Sequence, residues 1–203
     1  RQFLDPVFLG SYPRELAEMY GEAWPQFEAH DFKVISPPVD FLGINYYSRG
    51  LTKNDPSQLI DGTARVRNPR ATYTEMGWEV YPQGLYDVLV WVKERYGDIP
   101  LYVTENGAAF YDPPVAEESP LPDQARVEYL HKHLEAARSA IGSGVDLRGY
   151  FVWSLLDNFE WNQGFSKRFG IVHVDFATQR RTPKLSAAFY ADVIRSNGAS
   201  LSA

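Results

Sequence analysis

The sequence predicts an α/β fold in which three parallel strands alternate with helices. Three observations predict it. Short apolar runs occur at residues 39–47, 99–104 and 149–152, stretches of helical periodicity separate them, and each run ends in hydrogen-bonding residues. A helix between consecutive strands makes their pairing parallel, and the right-handed crossover rule then places them in one curved sheet. Three strands cannot close into a barrel. The outer strands, around Leu42 and Phe151, are therefore expected to expose apolar faces and unpaired backbone groups.

Each element has a local reason. Pro13, in Ser11-Tyr12-Pro13-Arg14-Glu15-Leu16, suits the first turn of a helix running to about Tyr20, since its absent N–H would have no partner there anyway. Val39 to Tyr47 forms the first strand. Ser48 to Tyr73 is polar and carries the turn signals Asp55-Pro56, Asp61-Gly62 and Asn68-Pro69, so it is expected to be a long loop. Pro82 opens a helix whose apolar positions Leu85, Leu89, Val92 and Tyr96 follow helical spacing. Ile99 to Thr104 forms the second strand, closed by Glu105 and the Asn106-Gly107 turn signal. Asp123 is a candidate N-cap for a helix with Val127, Leu130, Leu134, Ala137 and Ile141 as its apolar stripe and Gly142 at its end. Gly149-Tyr150-Phe151-Val152, apolar on both faces, reads as a buried strand. Pro183 is expected to open the last helix and Gly198 to close it.

The three strand ends point to one pocket. In parallel sheets and barrels, ligand sites lie at the carboxyl ends of the strands. Here those ends carry Asn45, Tyr46 and Tyr47; Glu105 and Asn106; and the run Trp153-Ser154-Leu155-Leu156-Asp157-Asn158-Phe159-Glu160-Trp161. Flat indole faces beside a hydrogen-bonding carboxylate suit a sugar ring, which has C–H faces and a hydroxyl rim.

Composition narrows the alternatives. Of the 203 residues, 44% are hydrophobic and 23% charged, which is compatible with a globular core. A net charge of −6 without a Lys/Arg stripe argues against a nucleic-acid surface. No apolar run approaches the ~18 residues of a membrane span. The absence of cysteine excludes disulfides and thiolate chemistry and leans toward a cytoplasmic location. His131 and His133 are two apart on a helix and face different ways, a poor metal pair, and His173 in a short apolar segment is expected to be structural. Asp157 and Asn158 are expected to hold the shape of their loop.

Three segments carry a family resemblance. GINYY, YVTENG and WSLLDNFEW, in that order, together with LDPVFLGSYP, GWEVYPQGL, KRFGIVHVDF and RTPKLSA, resemble glycoside hydrolase family 1, the β-glucosidase family, from about Phe3 to Ile194. The resemblance implies a TIM (β/α)8 barrel, of which these strands would be about the last three. Such a barrel takes about 250 residues. The chain starts without Met and lacks a Thr-Phe-Asn-Glu-Pro-like stretch, which in the family carries the acid/base. It is therefore expected to be the C-terminal portion of one catalytic domain, active only with the complementary N-terminal part, or otherwise self-associating. A non-catalytic carbohydrate-binding relative and a structural or assembly fragment are the alternatives.

The resemblance also implies roles. Glu105 would be the nucleophile of a retaining β-glycosidase acting on a β-glucoside or oligosaccharide, and Tyr47 would donate a hydrogen bond to it. Asn45 would assist positioning. Trp153 would stack under the sugar, Glu160 would accept from the hydroxyls at carbons 4 and 6, and Trp161 would donate near carbon 3. Phe169 would line the ring near carbon 6. Trp78 resembles the aromatic on the leaving-group side, a packed loop residue being the alternative. A Glu at position 160, where a branch of the family that acts on 6-phosphoglycosides typically has a small hydroxyl residue, implies unphosphorylated substrates. No metal or organic cofactor is implied.

Overall fold

The computed structural model describes residues 1–58 and 62–202. The chain opens with three short helices, α1 (Leu4–Leu9), α2 (Arg14–Tyr20) and α3 (Asp31–Ile35). Then come strand β1 (Leu42–Asn45), strands β2 (Leu51–Asn54) and β3 (Thr63–Val66), helix α4 (Pro82–Tyr96) and strand β4 (Leu101–Asn106). Helix α5 (Gln124–Gly142), strands β5 (Leu147–Val152), β6 (Val172–Val174) and β7 (Arg181–Pro183), and helix α6 (Leu185–Arg195) complete it. Strands β1, β4 and β5 form the expected open parallel sheet, with β4 in the middle.

One face of this sheet is packed and the other is open. Leu101 and Val103 of β4 meet Leu85, Leu89 and Val92 of α4 and Ala137 and Ala140 of α5 in a single core, in which each large aliphatic side chain contributes about 1.5–3 kcal/mol. A second core joins Tyr129, Leu130 and Leu134 of α5 to Ile171 and to Val193 of α6. On the opposite face Phe41 and Phe151 are 55% and 56% exposed, so the outer strands do carry bare apolar surface. Helix α1 docks on α4 through buried Asp5, which accepts hydrogen bonds from Arg95 and Tyr96. The Arg95 guanidinium holds this carboxyl well below the usual carboxylate range.

Four local expectations are corrected. Within Ser48–Tyr73, β2 and β3 pair antiparallel from Leu51↔Val66 to Asn54↔Thr63, so part of the expected loop is a hairpin; Asp61 lies outside the described residues. Its strands are only four residues long and largely exposed, so no buried alternation marks them. Asp123 occupies the N-cap position of α5 but makes no capping bond, because Arg126 and Ser186 take its carboxylate. The buried stripe of α5 runs through Arg126, Tyr129, Leu130, His133, Leu134, Ala137 and Ala140, leaving Ile141 51% exposed. Pro183 ends β7 rather than opening α6, which begins at Leu185. Pro13, by contrast, directly precedes α2, and Pro82 is the first residue of α4.

His133 yields a prediction. It is buried, its Nδ1 faces the Tyr129 carbonyl oxygen at 2.7 Å, and its ring stacks on Tyr129 at 3.9 Å. Burial pushes its pKa down to about 4. The unfolded chain therefore takes up this proton before the folded one does. Stability should fall as pH drops from about 6.5 to about 4, by roughly 3 kcal/mol if the full shift is expressed. In thermal melts across this range, His133→Gln should flatten the slope. An unchanged slope in that variant would show that other groups cause it.

Candidate active site

The carboxyl ends of β1, β4 and β5 form the floor of a cavity of about 470 Å³. All eight residues singled out in the sequence, from Asn45 to Phe169, line it. Two irregularities in pairing aim them. Register shifts between Ile44 and Asn45 and between Val103 and Asn106, so Asn45 pairs with Glu105 and Thr104 is passed over. Such a bulge interrupts strict alternation and re-aims a side chain. Glu105 is consequently half-buried in the cavity, between exposed Thr104 and fully buried Asn106.

Tyr47 donates from its hydroxyl to Glu105 Oε2 at 2.5 Å. Burial, together with the carboxylate that it bonds, pushes the phenol far above its ordinary value, so Tyr47 stays protonated and remains a donor at any working pH. Asn45 Oδ1 accepts from Thr104 Oγ1 at 2.7 Å. The rings of Tyr47, Trp78 and Phe169 form one aromatic wall, with centroids 5.2 Å apart for Tyr47 and Trp78 and 6.0 Å for Trp78 and Phe169. Trp78 is thus both packed and cavity-lining.

The opposite wall follows β5. Trp153 is half-buried, and Trp161, 82% exposed, starts a 3-10 turn with a positive φ of 40°. Glu160 is buried. That burial raises its carboxyl above the ordinary value and the Glu105 charge adds to the effect, while a hydrogen bond from Trp153 opposes it. The cavity therefore has two unlike carboxylates, one bonded by a phenol and one beside an indole.

A network of buried charges behind the cavity was not legible in the sequence. Lys184, fully buried, donates to Asp112 Oδ2 at 2.6 Å and Asp157 Oδ1 at 3.0 Å. Arg126 donates to Asp123 at 2.6 Å, to Asp112 at 3.1 Å and to the Arg168 carbonyl oxygen at 2.9 Å. Asp157 also accepts from Arg168 at 2.7 Å and from the backbone N–H groups of Gly170 and Val174. The cations hold the Asp157 carboxyl below its ordinary value despite its burial. Asn158 donates to Ser154 Oγ and to the Leu156 carbonyl oxygen, so both residues shape the loop as expected. Periodicity marks a polar residue in a helical stripe only as an interruption, and it cannot report a partner distant in sequence.

The histidines stand apart from the cavity. His131 pairs with Glu135 on the outside of α5, and His173 is buried with Nε2 2.9 Å from the Pro113 carbonyl oxygen. Among the described residues, no group of three or more His, Cys, Asp or Glu is placed to hold a metal ion. Among them also, no helix is long and apolar enough to cross a membrane.

Comparison with known proteins bears on this arrangement. The family model described as glycosyl hydrolase family 1 matches residues 1–199. Beta-glucosidase A of Thermotoga maritima is 47% identical over 198 residues, which cover 97% of this chain and 43% of that protein. The solved family 1 β-glucosidase from Thermotoga maritima superposes with a TM-score of 0.90 at 45% identity, covering 97% of this chain and 44% of that one. A structure of the Thermotoga maritima β-glucosidase in complex with glucoimidazole gives a TM-score of 0.89 at 45% identity over the same shares. This chain thus spans less than half the length of the relatives that it matches.

The ionic network predicts a stability effect. Asp157→Asn would leave Lys184 and Arg168 short of a buried counter-charge, and breaking such a pair typically costs about 3–5 kcal/mol. Urea unfolding should show a loss of that order. A loss below about 1 kcal/mol would mean that the network does not hold the loop.

Proposed function

The chain belongs to glycosyl hydrolase family 1, and from that premise we propose that it is the nucleophile-bearing, C-terminal portion of a single domain that hydrolyses β-glucosides with net retention. Its open sheet is part of the family's TIM barrel. The observation that carries the proposal is the 2.5 Å hydrogen bond from Tyr47 to Glu105 at the floor of a tryptophan-lined cavity. A carboxylate that accepts from a phenol held by its own burial is fixed in direction for attack.

In this mechanism Glu105 attacks the anomeric carbon and the bond to the leaving oxygen breaks, giving a covalent glycosyl-enzyme. A second carboxyl, about 5–5.5 Å from the first in retaining enzymes, protonates the leaving oxygen and later takes a proton from the water that releases the sugar. That acid/base comes from the part of the barrel outside this chain, in the complementary N-terminal portion. The bare apolar face around Phe41 and Phe151 supports such a partner, since a closed barrel fills its interior with side chains.

Trp153 stacks on the sugar face, Trp161 donates from its indole to a ring hydroxyl, and Asn45 aids positioning. Phe169 closes the ring edge, and Trp78 meets the leaving group. Glu160 accepts from two sugar hydroxyls as a carboxylate. A phosphate at carbon 6 would bring a dianion against it in a partly desolvated pocket, which selects unphosphorylated glucosides.

The test is kcat/KM on aryl β-glucosides and their 6-phospho counterparts, with this chain alone and joined to the complementary portion. The chain alone should be inactive and the joined enzyme should favour the unphosphorylated substrate. Glu160→Ser should weaken that activity by about 1.5–3 kcal/mol of transition-state stabilisation. Preference for the phosphorylated glucoside would contradict the role of Glu160, and full activity of the isolated chain would contradict the division of the site.

A further inference from the structure

Asn106, directly after Glu105, is fully buried and does not line the cavity, yet it touches all three strand ends. Its Nδ2 donates to the Tyr46 carbonyl oxygen at 2.7 Å and to the Tyr129 hydroxyl at 3.2 Å. The Tyr129 hydroxyl in turn donates to the Tyr47 carbonyl oxygen at 3.1 Å. Its Oδ1 accepts from the Tyr150 hydroxyl. Its backbone carbonyl oxygen accepts the Trp153 N–H at 3.0 Å, while the Glu105 carbonyl oxygen accepts the Tyr46 N–H at 2.9 Å. One residue thus fixes the backbone of β1 where Tyr47 leaves it and the backbone of β5 where Trp153 leaves it.

The amide is oriented by its surroundings. Turning it over would set Oδ1 against the Tyr46 carbonyl oxygen, two acceptors face to face, and would take from the Tyr150 hydroxyl the acceptor to which it now donates. The next residue confirms how tight the junction is, since a Cβ on Gly107 would lie 1.8 Å from the Trp153 carbonyl oxygen. A side chain that only filled core space would not need three directed polar contacts, and a buried unsatisfied one would be costly.

We propose that Asn106 is a positioning residue that sets the Tyr47–Glu105 hydrogen bond through the Tyr46–Tyr47 backbone, with Tyr129 as its relay. The inference rests on the reading of Glu105 as nucleophile only for its kinetic consequence. Its geometric consequence can be read without turnover. A carboxylate at position 106 would present an acceptor to the Tyr46 carbonyl oxygen, so the end of β1 would move and Tyr47 would leave Glu105.

The experiment places 3-fluorotyrosine at position 47 and follows its 19F resonance, with Glu105→Ala marking the position of a phenol that has lost its partner. Asn106→Asp should move the resonance most of the way to that mark. Tyr129→Phe, which keeps the ring and removes only the relay hydroxyl, should move it part of the way and serves if the first variant does not fold. Val92→Ala, a core change remote from this contact, should lower stability without moving it. In the joined enzyme, the burst of 2,4-dinitrophenol from its β-glucoside should slow about 10- to 100-fold in Asn106→Asp, the scale expected when reacting groups are misplaced. An unmoved resonance in every folded variant at these two positions would overturn the proposal. A moved resonance without any release of 2,4-dinitrophenol by the wild-type joined enzyme would instead overturn the hydrolase reading and leave the positioning role supported.

Discussion

The contact between Lys184 and the carboxylates of Asp112 and Asp157 is the constraint on which the cavity walls depend. Asp112 lies beyond β4, Asp157 beyond β5, and Lys184 immediately before α6, so one buried ammonium ties together three segments distant in sequence. Arg126 extends the tie to α5 through Asp123 and to the Arg168 carbonyl oxygen. Three cations, Arg126, Arg168 and Lys184, balance three carboxylates, Asp112, Asp123 and Asp157. Charges this far from water are costly unless paired and hydrogen-bonded, and a balanced cluster meets that condition. Such a cluster adds little net stability over an apolar packing, but it permits few alternative arrangements of its loops. That is what a sugar-sized cavity with directed donors needs.

In the sheet the division of labour is different. The backbone ladder sets the height of each strand, and the shift between Val103 and Asn106 decides which side chains turn into the cavity. Glycines allow the final approach. Gly107 lies against the Trp153 carbonyl oxygen, and a Cβ on Gly170 would meet the Asp157 backbone nitrogen at 2.2 Å. Gly170, directly after Phe169, and Gly107, directly after Asn106, therefore do the same thing on two walls: they let backbone pack where a side chain would hold it away.

Much of this was legible in the sequence because the relevant signals are local. The three parallel strands announce themselves by apolar runs that end in polar groups, and Pro82 and Gly142 mark helix limits through backbone chemistry that needs no partner. Six of the eight cavity residues could be named because they lie in three long motifs at strand ends, and Trp78 and Phe169 because they lie in two flanking segments that share the same resemblance. What was not legible depends on distant partners. Asp123 looks like a helix cap until Ser186 is known to take its carboxylate, and Arg126 looks like surface until Asp112 lies beside it. The hairpin from Leu51 to Val66 was hidden because its short strands face solvent, so neither shows the alternation of a half-buried strand. Asn106 was visible only as part of a turn signal, while its buried contacts reach Tyr46, Tyr129 and Tyr150, each more than 20 residues away.

The central claim is that Glu105 is the residue to which the sugar becomes covalently attached. Its most direct measurement uses the enzyme assembled from this chain and the complementary barrel portion. A 2-deoxy-2-fluoro-β-glucoside with a good leaving group would form the glycosyl-enzyme quickly and release it slowly, and peptide mass spectrometry would then locate the adduct. The account predicts one fluoroglucosyl group on the peptide containing Tyr102-Val103-Thr104-Glu105-Asn106 and none on any other peptide. An adduct on Glu160, Glu79 or Glu75 instead would contradict it.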